Sequence, residues 1–184
     1  MKKLVFLVSL TLIVSDIHSF NCNWTSIELE QVSQNPDSIQ LISINSQSLG
    51  ELIINSPDDF HLIILFTEWC KPCLESIPVI DSAIKRFDNI QPYYIYPDSE
   101  KNLKFLVKYL EKQSIIKKTY YLDNSYTGNV KKRFINFRNQ ICSDCEEYVG
   151  FPTVILLDKR MKMHLIKTGN LQSLANDFLL IIGD

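Results

Sequence analysis

The apolar positions of this chain switch repeatedly between strand and helix rhythms. His61 to Phe66 is a near-continuous apolar run, the pattern of a strand buried on both faces of a sheet. Behind it, Ile77, Ile80, Ile84 and Phe87 recur at three- and four-residue steps and predict a helix to about Phe87. Pro92 to Tyr96 predicts a strand. Ser99 to Gln113 predicts a helix capped by Ser99, with Leu103, Leu106, Val107 and Leu110 facing inward. A brief strand over Thr119 to Leu122 gives way to a turn at Asp123-Asn124-Ser125, and a third helix is expected over about Gly128 to Ile141. Thr153 to Leu157 and Met163 to Lys167 read as a hairpin around Asp158-Lys159-Arg160, and Asn170 to Ile181 as a closing amphipathic helix. Upstream, Asn35-Pro36-Asp37 and Ser56-Pro57-Asp58-Asp59 are turn signals that separate two short expected strands, Ile39 to Ile44 and Glu51 to Ile54. This order predicts an α/β sandwich with a mixed central sheet.

The start of the chain has a different character. Lys2 and Lys3 precede an apolar run from Leu4 to Val14, closed by Ser15, Asp16, His18 and Ser19. That layout predicts an export signal over residues 1–20, followed by one domain over 21–184; the run is short for a bilayer span. The expected destination is the periplasm or cell envelope, with secretion as the alternative. Composition agrees with a globular domain: 46% hydrophobic, 22% charged and a formal net charge of -2 over 184 residues. Such a balance offers no basic face for nucleic acid. Lys131-Lys132-Arg133 reads as a solvated helix face, and His61 and His164 as packing or surface residues. Tyr93, Tyr94 and Tyr96 suit a core strand.

Export changes the meaning of the five cysteines, because disulfides persist in an oxidising compartment. Four of them form two Cys-x-x-Cys pairs, Cys70/Cys73 and Cys142/Cys145. Cys22 stands alone behind the signal, and only its lipidation, or an uncleaved signal, would tie the chain to a membrane. The first pair lies between a predicted strand and a predicted helix. A helix N-terminus stabilises negative charge, which favours a thiolate at Cys70, with Lys71 adding to the effect. Cys73, one turn inward, would then attack the mixed disulfide formed by Cys70. Pro72 stiffens the loop between them. A structural disulfide and a zinc half-site are the competing readings, and neither calls for the flanking strand and helix.

Phe66-Thr67-Glu68-Trp69-Cys70-Lys71-Pro72-Cys73 resembles the active-site signature of the thioredoxin superfamily. Pro78 matches the proline that kinks the family's active-site helix, and Gly150-Phe151-Pro152-Thr153 resembles the loop carrying its cis-proline. The likeness covers about Ile44 to the C-terminus, and the longer Tyr94 to Ile141 segment is most similar to the exported TlpA-like branch. It implies a three-layer sandwich, a mixed central β-sheet flanked by helices, here with extended N-terminal strands. It also implies a disulfide oxidoreductase, with Cys70 and Cys73 catalytic and Trp69, Lys71, Pro72, Phe151, Pro152 and Thr153 lining the substrate groove. Substrates would be exported protein disulfides or dithiols. No cofactor is expected besides the redox-active Cys70–Cys73 disulfide itself, and an upstream protein would donate electrons.

Two positions depart from the family. Ile64 stands where thioredoxin keeps a buried acid, and Ser76 where TlpA-like reductases often carry a glutamate. Glu75 is the nearest candidate proton carrier, one residue and thus about 100° of helix away from that place; Glu68 reads as solvated. For Cys142 and Cys145 three readings stay open: a structural disulfide, a second redox pair, or a zinc site built from both pairs. A non-enzymatic thioredoxin-like binding module with structural disulfides is the alternative to the enzyme.

Overall fold

The computed structural model describes residues 39–113, 116, 118–142, 145 and 150–183. The expected export signal, its cleavage site, His18 and Cys22 lie outside the described residues. Six strands form one mixed sheet: β1 (Gln40–Ile44), β2 (Phe60–Leu65), β3 (Ile90–Tyr96), β4 (Lys118–Leu122), β5 (Thr153–Asp158) and β6 (Met163–Thr168). Their spatial order is β1-β4-β3-β2-β5-β6. The first four are parallel to one another, while β5 and β6 are antiparallel additions beside β2.

β2 explains the architecture. Its residues from His61 to Leu65 are all buried because neighbours cover both edges and both faces. Leu62 and Ile64 point to one face, Ile63 and Leu65 to the other, as the two-residue period of a strand requires. On the first face, Leu62 and Ile64 pack with α2 (Lys71–Ile84), α3 (Leu103–Gln113) and α5 (Leu174–Ile182) through Ile77, Ile80, Leu106, Leu110, Leu174 and Phe178. On the second face, α1 (Ser46–Ile54) and α4 (Val130–Ile141) bring Leu49, Ile53, Phe134, Phe137 and Ile141 onto Ile63 and Leu65. Each fully buried aliphatic side chain of this kind contributes about 1.5–3 kcal/mol. The result is the expected three-layer α/β sandwich.

The segment Glu51 to Ile54, expected as a strand, is instead the second half of α1. The apolar triplet Leu52-Ile53-Ile54 looked extended, but a capping box overrides it. Asn45 accepts the Ser48 N–H through its side chain, and Ser48 Oγ accepts the Asn45 N–H in return, both at 3.0 Å. Leu49 and Ile53, four apart, then share the buried face. Of the extended N-terminal strands, β1 alone is present among the described residues.

The Lys131-Lys132-Arg133 run also divides. Lys131 and Lys132 are exposed, whereas Arg133 is 4% exposed and inside the protein. Its guanidinium donates to the carbonyls of Pro97 (2.9 Å), Leu122 (2.6 Å), Asp98 and Asp123 (both 3.2 Å) and Tyr126. The carbonyl ends of β3 and β4 gather several acceptors here, and a five-donor fork is the side chain that satisfies them at once.

α4 begins at Val130, with Asn129 as its cap accepting the Lys132 N–H, two residues later than expected. Gly128 before it has φ +99, and a Cβ there would meet Lys132 at 2.8 Å, so only glycine suits that turn. Ser99 does not cap through its side chain. It precedes a single 3-10 turn, Glu100–Asn102, and Asp98 bonds the Ser99 N–H and the Asn102 amide.

Candidate active site

The C-terminal end of β2 delivers the chain into the motif. Phe66 continues the strand direction through an N–H bond to the Ile95 carbonyl (3.2 Å), and Thr67 is fully buried behind it. Cys70 is the N-cap of α2, in extended conformation, and its Sγ accepts the Cys73 N–H at 3.2 Å. Pro72 lies in the first turn, where its missing N–H would have had no helical partner. Cys70 and Cys73 are joined, with a Cα separation of 5.2 Å.

The exposure of the pair follows from helix periodicity. Cys73, Ser76, Ile77, Ile80 and Ala83 are the buried face of α2, so Cys73 is fully covered. Cys70, at the cap, is 6% exposed. Lys71, Pro72 and Glu75 are exposed, and Pro78 lies inside the helix on its outer side, where it removes one ladder bond. A thiolate at Cys70 meets the positive end of α2 and the Cys73 N–H together.

The second wall of the site comes from β5. Leu65 pairs with Thr153, so the residues just before β5 lie beside the residues just after β2. The Phe151–Pro152 peptide bond is cis. Trp69, 58% exposed, stands edge-on to Phe151, with ring centroids 5.8 Å apart at 90°. Pro152 is buried, and its carbonyl accepts the Gly169 N–H (3.0 Å). Thr153, fully buried, turns its hydroxyl to the Gly150 carbonyl (2.7 Å) and the Thr168 hydroxyl (2.8 Å). Thr153 thus ties the loop to β6, while Trp69 and Phe151 provide the exposed and half-buried aromatic surface around the cysteines.

Ile64 is fully buried in the same cluster as Cys73, so β2 places no carboxylate beneath the pair. Ser76 is buried on the inner side of α2 and Glu75 exposed on the outer side. Glu68, expected in solvent, is only half-exposed, and its Oε2 is buried with no hydrogen-bond partner. It lies close to the Tyr96 hydroxyl, which is also buried. Burial first, and then the Glu68 carboxylate, push the Tyr96 pKa far above the usual tyrosine range, so Tyr96 keeps its proton. Nothing local in the sequence marks Glu68 as covered; the cover comes from β3, which is remote in the chain.

Cys142 and Cys145 are also joined, with a Cα separation of 5.5 Å. They belong to the cluster on the second face of the sheet, opposite the one that holds Cys70 and Cys73. A four-cysteine zinc site needs all four sulfurs on one ion, whereas the two pairs lie in clusters on opposite faces of the sheet. Phe151 packs against both clusters and meets Phe134 of α4 at 4.9 Å, which makes it the side chain between the two faces.

No protein-family model and no curated protein matches the sequence. Solved structures do resemble it. A thiol:disulfide interchange protein from Bacteroides sp. has 16% identity and a TM-score of 0.53, over 74% of this chain and 78% of that one. A thioredoxin-like protein from Aeropyrum pernix has 11% identity and a TM-score of 0.51, over 71% of this chain and 80% of that one. With the sheet order, the Cys-x-x-Cys pair at the N-cap of α2 and the proline loop beside it, these likenesses establish that the chain has the thioredoxin-like fold.

Proposed function

We propose that the chain is a thiol-disulfide oxidoreductase that exchanges disulfides with exported proteins, working as a reductant through Cys70 and Cys73. The observation that carries this reading is the position of the pair. The outer cysteine caps a helix with its sulfur on a backbone N–H, and the inner one is covered one turn later. A purely structural disulfide gains nothing from a helix N-terminus, whereas a nucleophilic thiolate does. The interchange protein of similar fold supports the same activity.

In the reduced pair, Cys70 thiolate attacks one sulfur of a substrate disulfide. A mixed disulfide forms and one substrate thiolate leaves. Cys73, after giving up its proton, attacks Cys70 Sγ; the internal disulfide closes and the second substrate thiolate leaves. Two electrons pass to the substrate, and a dithiol donor protein restores the pair. Trp69 and Phe151 form the apolar surface for the substrate segment. The Pro152 carbonyl is already bonded and Pro152 has no N–H, so strand-like pairing with substrate falls to the Phe151 backbone. The Cys73 proton has two candidate acceptors: Glu75, in solvent on the outer side of α2, and Glu68, in the loop before Cys70 with its Oε2 buried.

The apolar run at residues 4–14 behind two lysines supports export to the periplasm or cell envelope. No described helix is long and apolar enough to cross a membrane. Trapping tests the enzyme reading directly. Cys73→Ser should hold substrate proteins on Cys70 as mixed disulfides that a reductant releases, and Cys70→Ser should hold none. Absence of trapped species, together with a Cys70 thiol of ordinary reactivity, would leave the scaffold as a binding module.

A further inference from the structure

On the face of the sheet opposite the active site, three sulfur atoms meet. Cys142 is the C-cap of α4 in extended conformation, with its N–H on the Arg138 carbonyl (2.8 Å). Cys145 lies beside it, and both are buried, at 7% and 0% exposure. Met163, the first residue of β6, places its Sδ 3.3 Å from Cys142 Sγ and 3.4 Å from Cys145 Sγ. It pairs with Leu157 where the β5–β6 register shifts, and Met161 packs on the same cluster. Two of the three methionines in the chain are therefore at this spot.

We propose that the reduced Cys142/Cys145 pair, with Met163, binds one Cu(I) ion in a three-sulfur site. The ligand set selects the metal. Two thiolates and a thioether are soft donors, suited to Cu(I) rather than to a hard cation. The geometry is close to what is needed. Metal–sulfur bonds of about 2.3 Å place three trigonal sulfurs about 4 Å apart. Met163 is already near that distance from both cysteines, and rotation of the two thiols after reduction opens the third edge. Charge favours it as well: two buried thiolates are costly alone, while Cu(I) leaves a single net negative charge. Met163 is half-buried, which gives the ion a way in.

The steps balance with a dithiol as the reductant. The dithiol passes two electrons and two protons to Cys142–Cys145 and becomes a disulfide; Cu(I) binding then releases two protons from the new thiols. Nothing in this depends on the activity proposed for Cys70 and Cys73.

The test uses the full chain with Cys70→Ser and Cys73→Ser, reduced with dithiothreitol and titrated anaerobically with Cu(I) against a competing chelator. One equivalent should bind, with three sulfur neighbours by X-ray absorption. Met163→Leu, which keeps the packing, should lower the affinity by about tenfold or more and remove one sulfur neighbour. Adding Cys142→Ser and Cys145→Ser should abolish binding at that strength. A pair that stays oxidised in the folded chain, no competitive binding, binding that survives the loss of Cys142 and Cys145, or a Met163→Leu variant with unchanged affinity and coordination would each overturn the proposal.

Discussion

The Trp69 indole meets the Phe151 ring edge-on at 5.8 Å, and this contact joins the cysteine loop to the cis-proline loop. Phe151 in turn rests on Phe134 of α4, so the aromatic chain runs from the exposed rim of the site to the second face of the sheet. The rim is thereby held by rings rather than by charge. Lys71 beside it is exposed and contributes to the local field without packing.

Trp69→Ala should separate recognition from stability. Trp69 is 58% exposed, so its loss removes an aromatic pair worth about 0.5–1.5 kcal/mol and little core. Reduction of a protein disulfide should slow by about tenfold, equal to about 1.4 kcal/mol of lost contact. Oxidised glutathione, too small to use the rim, should be reduced at nearly the original rate. Equal loss with both substrates in insulin-reduction and glutathione assays would place Trp69 in the chemistry of the pair rather than in substrate recognition.

The two candidate acceptors for the Cys73 proton lead to a paired comparison. Glu68→Gln keeps the shape of the side chain but removes its ability to accept the Cys73 proton. It should slow resolution of the Cys70 mixed disulfide and change the pH profile of that step, while Glu75→Gln should leave both unchanged. Stopped-flow measurement of mixed-disulfide decay resolves the step. If both variants behave like the wild type, Cys73 loses its proton directly to water.

Much of the fold was legible because the chain obeys its periodicities: β2 is continuous apolar, and α2 carries Ile77 and Ile80 on its buried side. The cysteine pair and the proline loop were legible because their residues are specific and ordered. What was hidden depends on partners distant in sequence. Arg133 looks like its lysine neighbours until the carbonyl ends of β3 and β4, and the Tyr126 carbonyl, are brought to it. Glu68 looks solvated until β3 covers it, and Met163 has no local mark of its contact with cysteines 18 and 21 positions earlier. The α1 error was different in kind. Asn45 and Ser48 close a capping box without the usual Ser/Thr-x-x-Glu/Gln signature, so nothing local announced a helix start ahead of the apolar Leu52-Ile53-Ile54 triplet.

His61 should make stability depend on pH in a defined window. It is fully buried on β2 near the Tyr93 ring (5.9 Å), with both ring nitrogens withdrawn from water. Burial lowers its pKa below the usual value; the charge and the backbone of Asp58, and then Asp59, oppose the shift, while Lys159 assists it. A folded-state pKa below the unfolded value of about 6.5 means that the unfolded chain binds the proton more readily. Stability is then complete above pH 6.5 and falls as pH drops toward the folded-state pKa, by at most about 1.4 kcal/mol per pH unit. His61→Leu should remove this slope between pH 5 and 7 while costing little at pH 7.5, because an apolar group replaces a polar ring in an apolar cluster. Urea denaturation across that range measures it, and an unchanged slope in the variant would assign the proton elsewhere.

The two cysteine pairs should prove separable in function. They occupy hydrophobic clusters on opposite faces of the sheet, with Phe151 touching both. A relay needs the sulfurs of one pair to reach those of the other, and here the sheet lies between the clusters. Replacing Cys142 and Cys145 with serine should therefore leave the rate of substrate reduction through Cys70 nearly intact. The variant should still lose stability. The ring closed by this disulfide spans only four residues, for which chain entropy alone gives about 2 kcal/mol. Two buried hydroxyls beside Met163 add to the cost. Denaturation in urea, read alongside the insulin assay, decides the matter: a stability loss with retained turnover marks the oxidised pair as structural, and a collapse of turnover at full stability would make it a second redox centre.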